Sequence, residues 1–344
     1  MQRHIGTIRH GFLVLKQGVF VKRIDIVKLL LCSLCSLIGH GPALSQGAYP
    51  ERPVTIIVPF AAGSGADIGA RMLARYLAET MKANIIVDNK PGANGAIGAQ
   101  AAARAKPDGY TLMLGSATTN AVNYAFFPGK LGYEPGTFIF IGSTGASPIS
   151  LYVSNSSPSK NVADLLAEAR LKPGRLSCGS GNAVTQVACE IFKLRTGIDV
   201  VTVPYKSNPQ ALTDLVGGQL SFAFADAAVS QAFLEGKKMR AIGVAAKQRN
   251  PATPEATTFQ EQGMSDFEIT AWTAVFAPAG IPGPIAELLN AAILKFSDSP
   301  EAVNLRLRSG SVATPFDLPH GQQFVANEVA RWSRYVKDSG VKPE

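Results

Sequence analysis

The chain has 344 residues, 46% hydrophobic and 17% charged, with a formal net charge of +8. That length and apolar content give one large or two medium α/β domains with a substantial buried core, and exclude a disordered chain. The charge does not point to nucleic acid. Residues 1–46 carry six cations (Arg3, Arg9, Lys16, Lys22, Arg23, Lys28) against Asp25, leaving 27 Lys+Arg and 24 Asp+Glu elsewhere, a net of +3 with no basic stripe among aromatics.

The N-terminus reads as an export signal over residues 1–47. Lys22, Arg23 and Lys28 precede the apolar run LLLCSLCSLI, and the small-residue stretch GPALSQGA follows, with cleavage expected near Ser45 to Ala48. The run is too short for a bilayer span, which needs about 20 residues. Cleavage removes His4, His10, His40, Cys32 and Cys35, so the mature chain keeps Cys178, Cys189 and His320. The two cysteines could pair in an oxidising compartment, but the sequence does not supply the geometry. No Cys/His cluster has zinc spacing, and no metal or cofactor is expected.

VTIIVPF (54–60) has the near-continuous apolar pattern of a strand buried on both faces. Beyond it, Ile68, Leu73, Leu77 and Met81 share one helical face. NIIVDN (84–89) is a second strand, an Ala-rich helix follows near 97–105, and PDGYTLMLGS (107–116) turns into a third strand. This is a doubly wound α/β unit. The pattern then recurs: a helix over 161–170 with Asn161 as its cap, a strand over 175–182 ending in a second Gly/Ser turn, and the helix VTQVACEIFKLRTG. A strand at 199–205, a helix at 208–219, and strands at 220–226 and 239–246 complete this half. ITAWTAVFAPAG, a helix at 284–297 and an amphipathic helix near 318–338 end the chain. Two such halves, each with a glycine turn after a strand, suggest two lobes facing a cleft.

The turn AAGSGADIGAR admits several chemistries. Glycines at 63, 65 and 69 are one residue too wide for a dinucleotide fingerprint, although Asp88 stands where a ribose-binding acid would. A phosphate loop needs a Gly-Lys-Ser/Thr that neither turn supplies. Ser64, Asp226 and His320 follow the order of an α/β-hydrolase triad, but Ala62 and Ala66 flank Ser64 where a nucleophile elbow needs glycine. What remains is an anion seat: amides at a helix start lack intrahelical partners, the dipole adds positive potential, and glycine lets a ligand approach. Asp67 could cap that helix and order the loop.

The chain resembles the periplasmic solute receptors of tripartite tricarboxylate transporters, the Bug receptors. The motifs are YPERPVTIIVPFAAGSGADIGAR, NKPGANGAIGAQAAARAKPDGYTLMLGS, VPYKSNPQALTDLVGGQLSFAFAD, TAVFAPAGIPGPIAELLNAAI and the C-terminal VKDSGVKPE, spread over residues 49–344. The resemblance implies an α/β, two-lobed periplasmic binding protein of the type II, Venus-flytrap kind, with doubly wound sheets in each lobe. Lobe 1 would span 48–148 with 271–344 returning to it, and lobe 2 would span 149–270, with crossings near 145–150 and 268–273. It implies a monomeric, exported receptor that captures a small carboxylate and delivers it to membrane permease subunits, without catalysis; an exported ligand sensor is the alternative.

By position, the resemblance assigns ligand binding to Phe60, Ala61, Ala62, Gly63, Ser64, Gly65 and Asp67 on the first turn, and to Ser116, Thr118, Thr119 and Asn120 on a second first-lobe loop. From the second lobe it assigns Gly181, Asn182, Thr185, Gln186, Tyr205, Lys206 and Asp226. The sequence departs from the family pattern at Ser64 for glycine, Ala66 for a hydroxyl residue, Tyr124 for proline, and Ala183, Val184 and Gln186 for Gly, Ser and His. Fewer hydroxyls and an added valine predict a ligand with an apolar or aromatic body rather than a citrate-like one.

Overall fold

The apolar run at Val54–Val58 forms strand β1 in the computed structural model, which describes residues 49–341; the expected export segment and the last three residues lie outside them. β1 is parallel to both of its neighbours, β2 (Ile85–Asn89) and β3 (Thr111–Ser116), so both its faces need cover. The period-2 alternation divides the work. Val54, Ile56 and Val58 pack with Leu73 and Leu77 of helix α1 (Gly65–Met81), while Ile57 faces Ala99 and Ala102 of α2 (Ala96–Ala103).

Strand β4 (Phe138–Ser154) is 17 residues long and joins the two lobes. Residues 138–148 pair antiparallel with β9 (Thr270–Pro278), which is itself antiparallel to β3. From residue 149 onward the same strand pairs with β7 (Phe222–Asp226) and β8 (Met239–Val244). β7 continues in parallel to β5 (Ser177–Ser180) and β6 (Val201–Pro204), giving the order β2-β1-β3-β9-β4-β7-β5-β6 with β8 on β4. Where β4 changes partners, three peptides tie the passage: Ile149 N–H donates to Ile269, Ala245 N–H to Ile149, and Ile269 N–H to Ala245, at 2.8–3.0 Å.

The second lobe carries α3 (Val162–Leu171), α4 (Ala183–Thr196), α5 (Asn208–Val216) and α6 (Ala227–Glu235). Its centre is aromatic, with Phe192 at 5.7 Å from Phe222 and 5.8 Å from Phe224. Cys178 of β5 is bonded to Cys189 of α4, with Cα atoms 6.2 Å apart, which answers the pairing that spacing left open. The chain ends with α7 (Gly283–Ser297), α8 (Pro300–Ser309) and α9 (Leu318–Asp338). α9 lies along β4, touching both the short helical turns at Thr118–Val122 and Asn123–Phe126 and α4 of the second lobe. Its Glu328 carboxylate is buried and accepts the indole N–H of Trp272 at 2.7 Å and of Trp332 at 3.1 Å, while pairing with Arg331.

Candidate functional site

A cavity of about 130 Å³ lies between the lobes, and the starts of four helices open onto it. Ser64, Gly65 and Ala66 contribute the first turn of α1; Asn182 and Val184 that of α4; Ser207 and Asn208 that of α5; Asp226 and Ala228 that of α6. Three of the four starts, those of α1, α4 and α6, are fixed by a side-chain cap, and that of α5 has none. Ser64 Oγ accepts the Asp67 N–H at 3.2 Å, Asn182 Oδ1 accepts the Thr185 N–H at 3.0 Å, and Asp226 Oδ1 accepts the Val229 N–H at 3.1 Å. On α1 the Ile68 N–H closes on the Ser64 carbonyl, so the amides of Gly65 and Ala66 are left for the cleft.

Asp67 orders this turn from behind. Its carboxylate accepts from the Gly63 N–H at 2.9 Å, from Arg71 at 3.0 Å and from Asn89 at 3.0 Å. Burial works to raise its pKa, but the Arg71, Gly63 and Asn89 hydrogen bonds outweigh it and the net shift is downward. Asp67, Ala61, Ala62 and Gly63 do not line the cavity, whereas Phe60, Ser64 and Gly65 do. At the end of β3, Ser116 and the following Thr118 line the cavity, whereas Thr119 and Asn120 do not. Thr119 Oγ1 takes the Ser116 N–H at 2.9 Å and donates to Asn120 Oδ1 at 2.7 Å. Ser116 Oγ is buried and has no protein partner among the described residues.

In the second lobe, Gly181, Asn182 and Asp226 line the cavity, and Thr185, Gln186, Tyr205 and Lys206 do not. Thr185 is buried and completes the cap of α4 by accepting the Asn182 N–H at 3.2 Å, and it also accepts the Gly181 N–H at 3.0 Å. Gly181 must be glycine, because a Cβ there would fall on the Ser207–Asn208 peptide. Tyr205 is held by its backbone to Ser180, and Lys206 is exposed.

Among the described residues that line the cavity, Asp226 alone is charged. Burial pushes its carboxyl above the ordinary range, against the Val229 amide and the Asn208 side chain that favour the charged form. The lobes meet here: a Cβ on Gly65 would stand 2.7 Å from Asp226 Oδ1. The Ser64, Asp226, His320 series is not assembled, since His320 sits exposed at the start of α9, its Nδ1 2.7 Å from Asp317 Oδ1. Asp88 pairs with Lys90 at 2.9 Å and does not line the cavity.

The remaining wall comes from residues that the sequence reading did not single out. Thr144 to Ser147 and Ile149 of β4, and Ala271 to Thr273 of β9, form the floor; Leu305 and Ser311 close one side. Crossing strands carry no turn signature, so only the resemblance pointed near them.

A family model described as "Tripartite tricarboxylate transporter family receptor" matches residues 69–341. The chain is 30% identical to Protein BugT of Bordetella pertussis over 310 residues, 88% of this chain and 94% of that one. It superposes with a TM-score of 0.83 on an R. palustris protein solved with adipate, at 31% identity over 86% of this chain and 100% of the other. With MatC from Rhodopseudomonas palustris with bound malate the TM-score is 0.79, at 30% identity over 84% and 100% of the two chains. The fold is that of the two-lobed periplasmic binding proteins. By its matched residues and its interlobe cleft, the chain belongs to the tripartite tricarboxylate transporter receptor family.

Proposed function

We propose that this protein captures a small carboxylate between its lobes in the periplasm and hands it to the membrane subunits of a tripartite transporter, without altering it. The observation that carries this reading is the convergence of four helix N-termini on a cleft whose lining holds no cation. Backbone amides and helix dipoles then supply the positive potential that an anion requires. Charge-assisted N–H···O bonds contribute about 1.5–3 kcal/mol each, so a few suffice for micromolar affinity, about −8 kcal/mol. The solved relatives with adipate and malate support the same ligand class.

In this reading the open receptor takes the carboxylate at Gly65 and Ala66, with Ser64 and Ser116 as hydroxyl donors. The α4 and α6 starts close over it as the lobes turn about Ile149 and Ile269. The ligand shifts the equilibrium only by its extra affinity for the closed form. Calorimetry on the mature protein with a series of carboxylates tests the reading, and micromolar binding of at least one is expected. Gly65→Ala should weaken that binding about tenfold or more while the protein stays folded, because the added methyl meets Asp226 before the lobes close. Absence of heat with every carboxylate, or unchanged affinity in Gly65→Ala, overturns it.

A further inference from the structure

Helix α8, PEAVNLRLRS, reaches the cleft with one side chain, Leu305. Ser299 caps it through the Ala302 N–H at 3.2 Å, and Gly310 ends it. One face carries Ala302, Leu305 and Ser309 at helical spacing. Ala302 packs into the first-lobe core with Leu289 and Phe296. Ser309 is buried, and its carbonyl accepts from Asn250 of the second lobe at 3.1 Å. Leu305 lies between them, half-buried, joins none of the three hydrophobic cores, and lines the cleft. The helix is held at both ends of the gap: Arg306 donates to the Ser297 carbonyl, and Arg308 pairs with Glu235 of α6 across the lobes at 2.8 Å. The residues after it are fixed too, by two bonds between Val312 and Ala146 at 2.8 and 3.0 Å.

A leucine held in this way, against space and on no core, presents apolar surface that folding has left for another molecule. The same cleft shows Phe60, Ile149 and Val184, and offers no cation to a second anionic group. We infer that Leu305 is a specificity-determining residue, which receives the hydrocarbon body of a monocarboxylate and disfavours a carboxylate at the ligand's far end. A second carboxylate set against the Leu305 side chain has an apolar surface as its neighbour, and its desolvation at that wall is uncompensated. This inference rests on the carboxylate reading above and names the class within it.

The test is calorimetry of the mature protein with hexanoate, benzoate and adipate, for wild type, Leu305→Ala and Leu305→Met. Wild type should bind hexanoate or benzoate more tightly than adipate. Leu305→Ala should weaken hexanoate and benzoate about tenfold or more, since removing several buried carbons from an apolar pocket has at least that effect. It should leave adipate within about twofold, and Leu305→Met should restore most of the loss. Thermal melting of both variants should match wild type, because Leu305 supports no core. Adipate bound most tightly by wild type, or Leu305→Ala leaving hexanoate and benzoate within twofold, overturns the inference while the carboxylate reading stands. Failure of all three acids to bind wild type overturns the inference, and overturns the carboxylate reading with it only when no other carboxylate of the series binds.

Discussion

Ser64 holds two positions at once: its oxygen caps α1 through the Asp67 amide, and its side chain lines the cleft. The cap uses the oxygen as acceptor, so the hydroxyl proton is free to donate to a ligand. Ser64→Gly should therefore lower stability by only a few tenths of a kcal/mol, the known difference between Ser and Gly caps. Carboxylate affinity should fall about tenfold, the equivalent of one hydrogen bond of about 1.4 kcal/mol; a melt and a titration of the same sample separate the two effects. Asp226 gives a pH prediction whose sign is set by burial. An acid with a raised pKa holds its proton more readily in the closed form, so closure is fully supported below the ordinary carboxylate range and loses support as pH rises through the raised value. Asp67 is shifted the other way: its support is present at neutral pH and lost only as pH falls through its lowered value. Wild-type affinity should thus decline on raising the pH from about 4, the ordinary aspartate range. Asp226→Asn, which keeps an oxygen for the Val229 amide, should flatten that decline and bind about three- to tenfold tighter at pH 7. Titrations from pH 4 to 8 check both. At this scale the glycine turn between strand and helix singled out Ser64 and Gly65 as part of an anion seat, the resemblance added Phe60, and all three line the cavity. Ser207, Asn208 and Leu305 carry no such mark, since their place in the cleft is set by elements packed from far along the chain.

Most elements were readable from period and punctuation: α1, α3, α4, α5, α7 and α9 lie within a few residues of their expected spans. Three were not. β4 contains Gly142, Gly145 and Pro148, residues that normally end a strand; its pairing with β9 shifts register beside the two glycines, between Phe140 and Gly142 and between Ser143 and Gly145, and then runs in register through Pro148. α6 follows β7 without a turn, its only start signal being Asp226 as cap. α8 is short, and its exposed side carries the apolar Val303 and Leu307 beside Glu301 and Arg308, so its contact with the cleft leaves no amphipathic pattern. The disulfide acts at this scale. It ties β5 to α4 over 11 residues and encloses the Gly181–Asn182 turn, so it restricts the unfolded chain and steadies the second-lobe seat. Cys178→Ser with Cys189→Ser should lower unfolding free energy by about 2–3 kcal/mol. A urea titration of the double variant against wild type measures this, and an added reductant should bring wild type to the same midpoint.

For the molecule as a whole, one hydrophobic cluster runs from Ile57 and Met113 in the first lobe, through Trp332 and Val336 of α9, to Phe192 and Phe224 in the second. Lobes sharing a core and a strand cannot unfold independently, so a single cooperative thermal transition is expected. A ligand held only by the closed lobes should raise that transition as a whole: at 100 times its Kd the added stability is about 2.7 kcal/mol. Scanning calorimetry with and without a bound carboxylate would show two separated transitions if the lobes were independent. The two-lobed plan was visible in the recurrence of strand, glycine turn and helix, but the shared core was not, because its members come from both ends of the chain.

The carboxylate of Glu328 gives this receptor a signal of its own. The chain's two tryptophans both donate to it, and one of them stands on the strand that passes under the cleft. Indole emission responds to the charge and geometry of such a partner, so any bending of β9 against α9 should change the brightness or colour of the native protein. Transport intermediates could then be timed by stopped flow on unlabelled receptor.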